Sequence, residues 1–378
     1  MRWGTYFAVL SAVLSVGLAL GVSMPLVSLR LEGWGYGSFA IGVMASMPAI
    51  GVLAGAGLAS RLAARFGTPG LMRLCLWGGA LSLGLLALLP SYVVWLALRL
   101  VIGMVLTIVF ILGESWINQI VVEQWRGRLV ALYGSSYALS QLCGPLLLGV
   151  LGTDHDYGFW VGVGLLVVSP LLLLGRSGAP SAEACGVTLL DLAGFCRRLP
   201  VIAWAIALFA AFEAMILTLL PVYCLQQGFT AQVALFMVST VVVGDALLQL
   251  PIGALADRMS RRTLFFGCAV ALMLSSLAIP LLIETLAIWP LWVIFGASAG
   301  GLFTLSLVLI GERYRDDALV RANAHVAQLW GIGCLIGPVL AGAGSQWVSG
   351  HALPLLMAAG AFGLVLLARK PHALELPA

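Results

Sequence analysis

Charge is what this sequence has least of. Asp, Glu, Lys and Arg together make up 9% of its 378 residues, against roughly 25% in soluble domains. With 62% hydrophobic residues as well, a soluble globular chain is excluded and an integral membrane protein is expected. The alternating segments of about ten residues that mark a membrane β-barrel are missing. The seven cysteines are scattered through apolar runs with no Cys-x-x-Cys pair, so they read as small packing residues and not as disulfide or metal ligands. No Gly-Lys-Ser/Thr phosphate loop is present, so ATP is not expected to power the chain. No Ser/His/Asp or metal-ligand constellation appears either; Asp154, His155 and Asp156 read as a short solvated loop. No enzyme activity, cofactor or metal is expected. A net charge of +4 is too modest to signal a nucleic-acid partner.

What is present is a succession of apolar stretches of about 17 to 25 residues, the length that crosses ~30 Å of hydrocarbon as a helix. About twelve can be counted, the first near 6–29 and the last near 352–368. The opening stretch is long and lacks a small-residue cleavage site, so it is read as a retained first helix and not a signal peptide. The longest polar interruption is 176–200, a linker with an amphipathic piece around 187–195. The expected organisation is a first half at 1–175, this linker, and a second half at 201–378.

The basic residues are distributed unevenly. Arg2, Arg61, Arg65, Arg73, Arg126, Arg128, Arg176, Arg197, Arg198, Arg258, Arg261, Arg262, Arg313, Arg315, Arg321, Arg369 and Lys370 fall in alternate loops or at the termini; Arg30 alone falls in a loop on the opposite side. The positive-inside rule then places both termini in the cytoplasm. The halves also repeat. A shift of 193 residues carries Arg65 onto Arg258, Gly103 onto Gly296, Arg128 onto Arg321, Gly144 and Pro145 onto Gly337 and Pro338, and Gly149 onto Gly342. A parallel repeat of this kind implies two six-helix bundles about an axis along the membrane normal, with a substrate cavity between them near the midplane.

Residues 253–262 read Gly-x-x-x-Asp-Arg-x-x-Arg-Arg between two apolar runs, with Asp257, Arg258, Arg261 and Arg262 as the charged positions. This closely resembles the loop signature of the major facilitator superfamily, with Ser260 where that family usually has a second Gly. The loop of the first half, from Ser60 through Arg61 and Arg65 to Gly67, is a degenerate version with Ala64 in the usual Asp place. Arg99 and Gly103 resemble the family's intramembrane Arg motif, associated with proton coupling. Gly144, Pro145 and Gly149, repeated as Gly337, Pro338 and Gly342, resemble the motif associated with antiport; small residues and Pro at these places also serve plain helix packing. Glu114, Ser115 and Trp116, followed by Arg126 to Leu129, resemble a branch of small bacterial carriers of mostly unassigned substrate. The resemblance implies an all-α fold of about twelve spans in two pseudo-symmetric bundles.

Ionisable groups inside a membrane are costly, at least about 2.5–3.5 kcal/mol at a helix centre. Arg99 lies within the fourth apolar stretch, and Glu213 and Asp245 lie near the middle of the seventh and eighth. Under the shift the two acids fall on Leu20 and Val52, both apolar. They therefore break the repeat, as a coupling or binding device would. Gln249 sits one turn from Asp245 and is a candidate partner. Tyr133, Tyr137 and Gln141 recur at four-residue spacing on one face of the fifth stretch and are candidate cavity residues; aromatics so spaced also serve packing. Glu114 and Glu312 stand at matching ends of the fourth and tenth stretches. With Arg61, Arg65, Asp257, Arg258 and Arg262 they make a candidate cytoplasmic gate. His325, near a helix end, is read as hydrogen-bonded or solvated and not as a proton switch.

The expected activity is secondary transport of a small organic solute by alternating access, coupled to protons and directed outward as antiport, by a functional monomer in the bilayer. Proton-coupled uptake of a nutrient or metabolite is the alternative on the same fold, and a non-transporting sensor or assembly factor is a third reading.

Overall fold

The structure is a computed structural model that describes residues 3–121, 126–175, 189–256 and 258–369. Thirteen α-helices follow one another, with no strand among the described residues. Helices are what such a sequence must form, since backbone N–H and C=O groups in hydrocarbon find partners only within the segment itself. They are α1 (Trp3–Gly33), α2 (Ser38–Phe66), α3 (Thr68–Leu88), α4 (Tyr92–Ile120), α5 (Arg126–Leu151), α6 (Tyr157–Val168), α7 (Leu189–Arg198), α8 (Pro200–Gln226), α9 (Ala231–Ala256), α10 (Arg261–Leu282), α11 (Ile288–Arg313), α12 (Asp316–Trp347) and α13 (Ala352–Ala368). A 3-10 turn, Ser169–Leu173, extends α6.

Among the described residues, nine of these are long and apolar enough to span a bilayer. The α6 segment with its turn and α13 are shorter apolar helices, and α5 has 26 residues. With α7 set aside, twelve helices form two sets of six, the fold of a multi-pass membrane protein. Several helices run past the apolar stretches that announce them. Arg61 and Arg65 lie inside the last turns of α2, and Arg73 is in α3. The linker helix is α7, at Leu189–Arg198, slightly later than its polarity pattern predicts.

The chain divides into two compact units, one of Met1–Gly35 with Met47–Ala184, the other of Tyr36–Ser46 with Cys185–Ala378. The first turns of α2 thus belong with the C-terminal helices. A side chain at Gly42 would run into the backbone of Pro338 and Gly342, and one at Gly342 into Ser38. The Ser46 hydroxyl donates to the Leu335 carbonyl at 2.8 Å, and the Phe39 amide donates to Gln346 Oε1 at 3.0 Å.

Within each unit the 193-residue repeat appears as repeated packing. In the first, Gly51 meets the backbone at Leu100 and Gly103 meets Pro48; in the second, Gly244 meets Val293 and Gly296 meets Val241. Every one of these four positions is a partner 193 residues from its counterpart. Small residues let helix backbones touch, which drives association where lipid removes the hydrophobic force. Gly17 and Gly21 of α1 pack likewise on Ser140, Gln141 and Gly144 of α5, while Gly333 and Gly337 of α12 pack on Ala207, Ala210 and Ala211 of α8.

The amphipathic α7 docks on the second unit. Leu192, Phe195 and Leu199 are buried with Ile202, Ile206, Ile310, Ala322, Val326 and Leu329, while Asp191, Arg197 and Arg198 are exposed.

Candidate functional site

In the first unit the charged centre is Arg99, on α4. It is fully buried. Its Nη1 donates to Ser23 Oγ of α1 at 3.4 Å, a long contact, while Nε and Nη2 have no partner among the described residues. Trp95, one turn earlier, fixes the helix above it: its indole N–H donates to the Leu86 carbonyl at 3.1 Å and its ring packs against Trp34 at 4.6 Å and Phe159 at 6.1 Å.

The polar face proposed for α5 is largely occupied in packing. Tyr133 is buried and its hydroxyl donates to the Phe110 carbonyl of α4 at 3.2 Å. The Tyr137 ring lies 5.0 Å from that of Phe110. Gln141 presents its backbone to Gly21, and Gly144 presses on Gly21 and Val22. Pro145 and Gly149 are buried in the same helix. Glu114 is exposed on α4, within electrostatic reach of Tyr133. Arg61 and Arg65 are exposed, and the Arg65 guanidinium lies 5.5 Å from the Phe66 ring. At the far end of α1, Arg30 pairs with Asp156, the N-cap residue of α6, at 3.0 Å. That aspartate therefore staples two helices, where the sequence reads only a solvated loop.

In the second unit Glu213 and Asp245 are half-buried, midway along α8 and α9. They are close enough to feel each other's charge. Cys334 of α12 is also within reach of Glu213, and its thiol donates to the Ala210 carbonyl at 3.4 Å. The close approach of Gly296 to the Asp245 amide sets α9 against α11 at this level. One turn before Glu213, Phe209 belongs to an aromatic array, with its ring 4.7 Å from Phe303 and 5.5 Å from Trp330. Gln249 belongs to α9, and its side chain lies outside the described residues.

The basic loop contributes one ion pair among the described residues, and it is made by Arg261 with Glu312, joining the first turn of α10 to the last of α11. Arg258 is exposed, and Arg262 Nη2 donates to the Arg369 carbonyl at 3.4 Å. Asp257 lies outside the described residues. Ser260 accepts from the Thr263 amide at 3.5 Å as the N-cap of α10, which accounts for a hydroxyl where a Gly is usual. His325 is buried, with Nδ1 3.0 Å from Gln328 Oε1 and its ring 5.2 Å from that of Phe195 on α7. No group of three or more metal-ligating residues is found among the described residues.

Sequence reasoning missed three participants. Arg261 stands in the basic run, but only helix rotation selects it over its neighbours. Ser23 is one hydroxyl in an apolar helix. Trp292 is the residue onto which the repeat carries Arg99, a signal the shift could have supplied.

The sequence pattern of the Major Facilitator Superfamily matches residues 9–244 and 202–377. An uncharacterised MFS-type transporter of Enterobacter sp. (strain 638) is 28% identical over 370 residues, covering 96% of this chain and 94% of that one. The uncharacterised MFS-type transporter YfkF of Bacillus subtilis (strain 168) is 24% identical over 352 residues, covering 89% and 88%. Among solved structures, the nucleoside transporter NupG matches with a TM-score of 0.76 at 14% identity over 100% of both chains. The D-xylose-proton symporter matches at 0.76 and 15% identity over 97% of each. At such identities the structural likeness shows the fold alone.

Proposed function

The chain belongs to the Major Facilitator Superfamily, and on that premise we propose that it moves a small organic solute across the bacterial inner membrane by alternating access, driven outward in exchange for protons. The observation that carries this reading is the pair Glu213 and Asp245, two carboxyls within each other's electrostatic reach in the middle of spanning helices. The scaffold does not need them, since the repeat places Leu20 and Val52 at the equivalent positions. A mid-membrane carboxyl is costly while ionised, so it is suited to take up and release a proton as its surroundings open and close.

In this reading the protein works as a monomer with both termini cytoplasmic. Arg99 serves in binding or coupling, and the Arg261–Glu312 pair with the rest of the basic loop closes the cytoplasmic side. Uptake by symport is the second reading. It is favoured by one observation, the likeness of fold to a D-xylose-proton symporter, although fold does not settle direction.

A ligand thermal-shift screen across drugs, sugars, amino acids and siderophore-like acids would supply a cargo for flux measurements in proteoliposomes. Flux should follow an imposed pH gradient and lose that dependence when Glu213→Gln and Asp245→Asn are combined. Flux that ignores the gradient, with full activity in the double variant, would sink proton coupling. Export is distinguished from uptake by whether a knockout gains drug sensitivity or loses growth on a nutrient.

A further inference from the structure

We propose that Arg99 is the receptor for a carboxylate, or another planar oxyanion, carried by the transported solute. This deepens the transport reading and rests on it. The guanidinium is fully buried, and among the described residues only its Nη1 has a partner, Ser23 Oγ at 3.4 Å. The two nitrogens left over are Nε and Nη2. Their N–H groups leave the same edge of the planar group side by side, the geometry that receives both oxygens of a carboxylate. Ser23 accepts from Nη1, which leaves its own hydrogen free to donate.

The position does not need a cation for packing. The repeat carries Arg99 onto Trp292 in the second unit, and that indole is equally buried. A large planar side chain fills the equivalent place, so the charge at Arg99 is an addition to the packing. Nor do the described helices of the first unit supply the counter-charge. The helices α1 to α6 carry only two acids, Glu32 and Glu114. Glu32 is nine residues beyond Ser23 along α1, about 13 Å at the helical rise. Glu114 is fifteen residues beyond Arg99 along α4, about 22 Å. A buried cation with a vacant bidentate edge and no acid of its own described helices beside it calls for an anion from elsewhere. Because the edge is closed to solvent here, entry requires α1 and α4 to part at Ser23, which ties binding to the opening of the bundle.

The test is thermal unfolding of the purified full-length protein in detergent, with formate, acetate or nitrate exchanged for chloride at constant ionic strength. The expected result is a saturable rise in Tm with the planar oxyanions relative to chloride. Arg99→Gln should abolish it, and Arg99→Lys, which keeps the charge but lacks the edge, should abolish the preference over chloride. Arg99→Trp imports the side chain of the other bundle and should keep the fold while losing the response. Equal behaviour of formate and chloride in the unaltered protein, or a full formate response in Arg99→Trp, would overturn the proposal. The readout needs no flux, so an anion response without gradient-driven transport would refute the transport reading and leave the receptor standing. Transport without the anion response would do the reverse.

Discussion

Arg261 and Glu312 form an ion pair that ties the beginning of α10 to the end of α11. Both side chains remain about one-third exposed, at 33% and 37%, so water screens them. Such pairs contribute about 0–1 kcal/mol. Glu312→Gln is therefore expected to leave thermal unfolding almost unchanged while slowing transport, if the pair serves the gate. Exchanging the two residues, Arg261→Glu with Glu312→Arg, should restore part of the rate. A loss of stability beyond about 1 kcal/mol would instead give the pair a structural role.

Glu213→Gln and Asp245→Asn should separate stability from activity. Each removes a carboxyl from mid-membrane, where a charge costs at least about 2.5–3.5 kcal/mol. Thermal stability should hold or rise, and gradient-driven flux should fall. Variants that unfold more easily would identify the acids as structural.

Gly103 and Gly296 sit where two helix backbones touch, against Pro48 and Val241 respectively. Overpacking a core typically costs about 1–3 kcal/mol, and here the obstacle is backbone, which yields less than a side chain. Gly103→Leu and Gly296→Leu should each lie at or above the upper end, read as lost folded yield or lowered Tm. Equal penalties are expected, because the contact is the same in both units. Wild-type stability in either variant would contradict the close approach.

Phe195 fastens α7 to the second unit, packing with Leu192, Leu199 and Val326 and 5.2 Å from the His325 ring. Phe195→Ala should cost about 3 kcal/mol of docking. A reporter sits next to it: burial raises the Cys196 thiol above its ordinary pKa, with a backbone hydrogen bond acting the other way. A raised thiol pKa means less thiolate at neutral pH and slow maleimide labelling. Labelling of Cys196 should quicken in Phe195→Ala and should rise with pH in both proteins. Unchanged labelling would show that α7 does not depend on Phe195.

Much of the architecture was legible from the residues. The apolar lengths identify the membrane helices, because the bilayer leaves the backbone no choice but helix. The 193-residue shift anticipates contacts it does not describe, since Gly103 and Gly296 meet their partners in matching places. The linker helix was legible as amphipathic, but its ends were not: Leu189–Arg198 is set by which residues dock on α8 and α12.

Composition and periodicity by themselves determined membrane residence, helix content, the repeat, and the positions of Arg99, Glu213 and Asp245 along their helices. These are properties of a segment facing a uniform solvent, so they follow from the order of residues. Only the tertiary structure decided that Arg261 holds Glu312, that Arg30 holds Asp156, that the start of α2 packs with the second unit, and that two nitrogens of Arg99 are unmet among the described residues. Those outcomes depend on how each helix is rotated and how closely small residues let its neighbour approach. One turn of helix offers several side chains of similar reach, and packing selects among them.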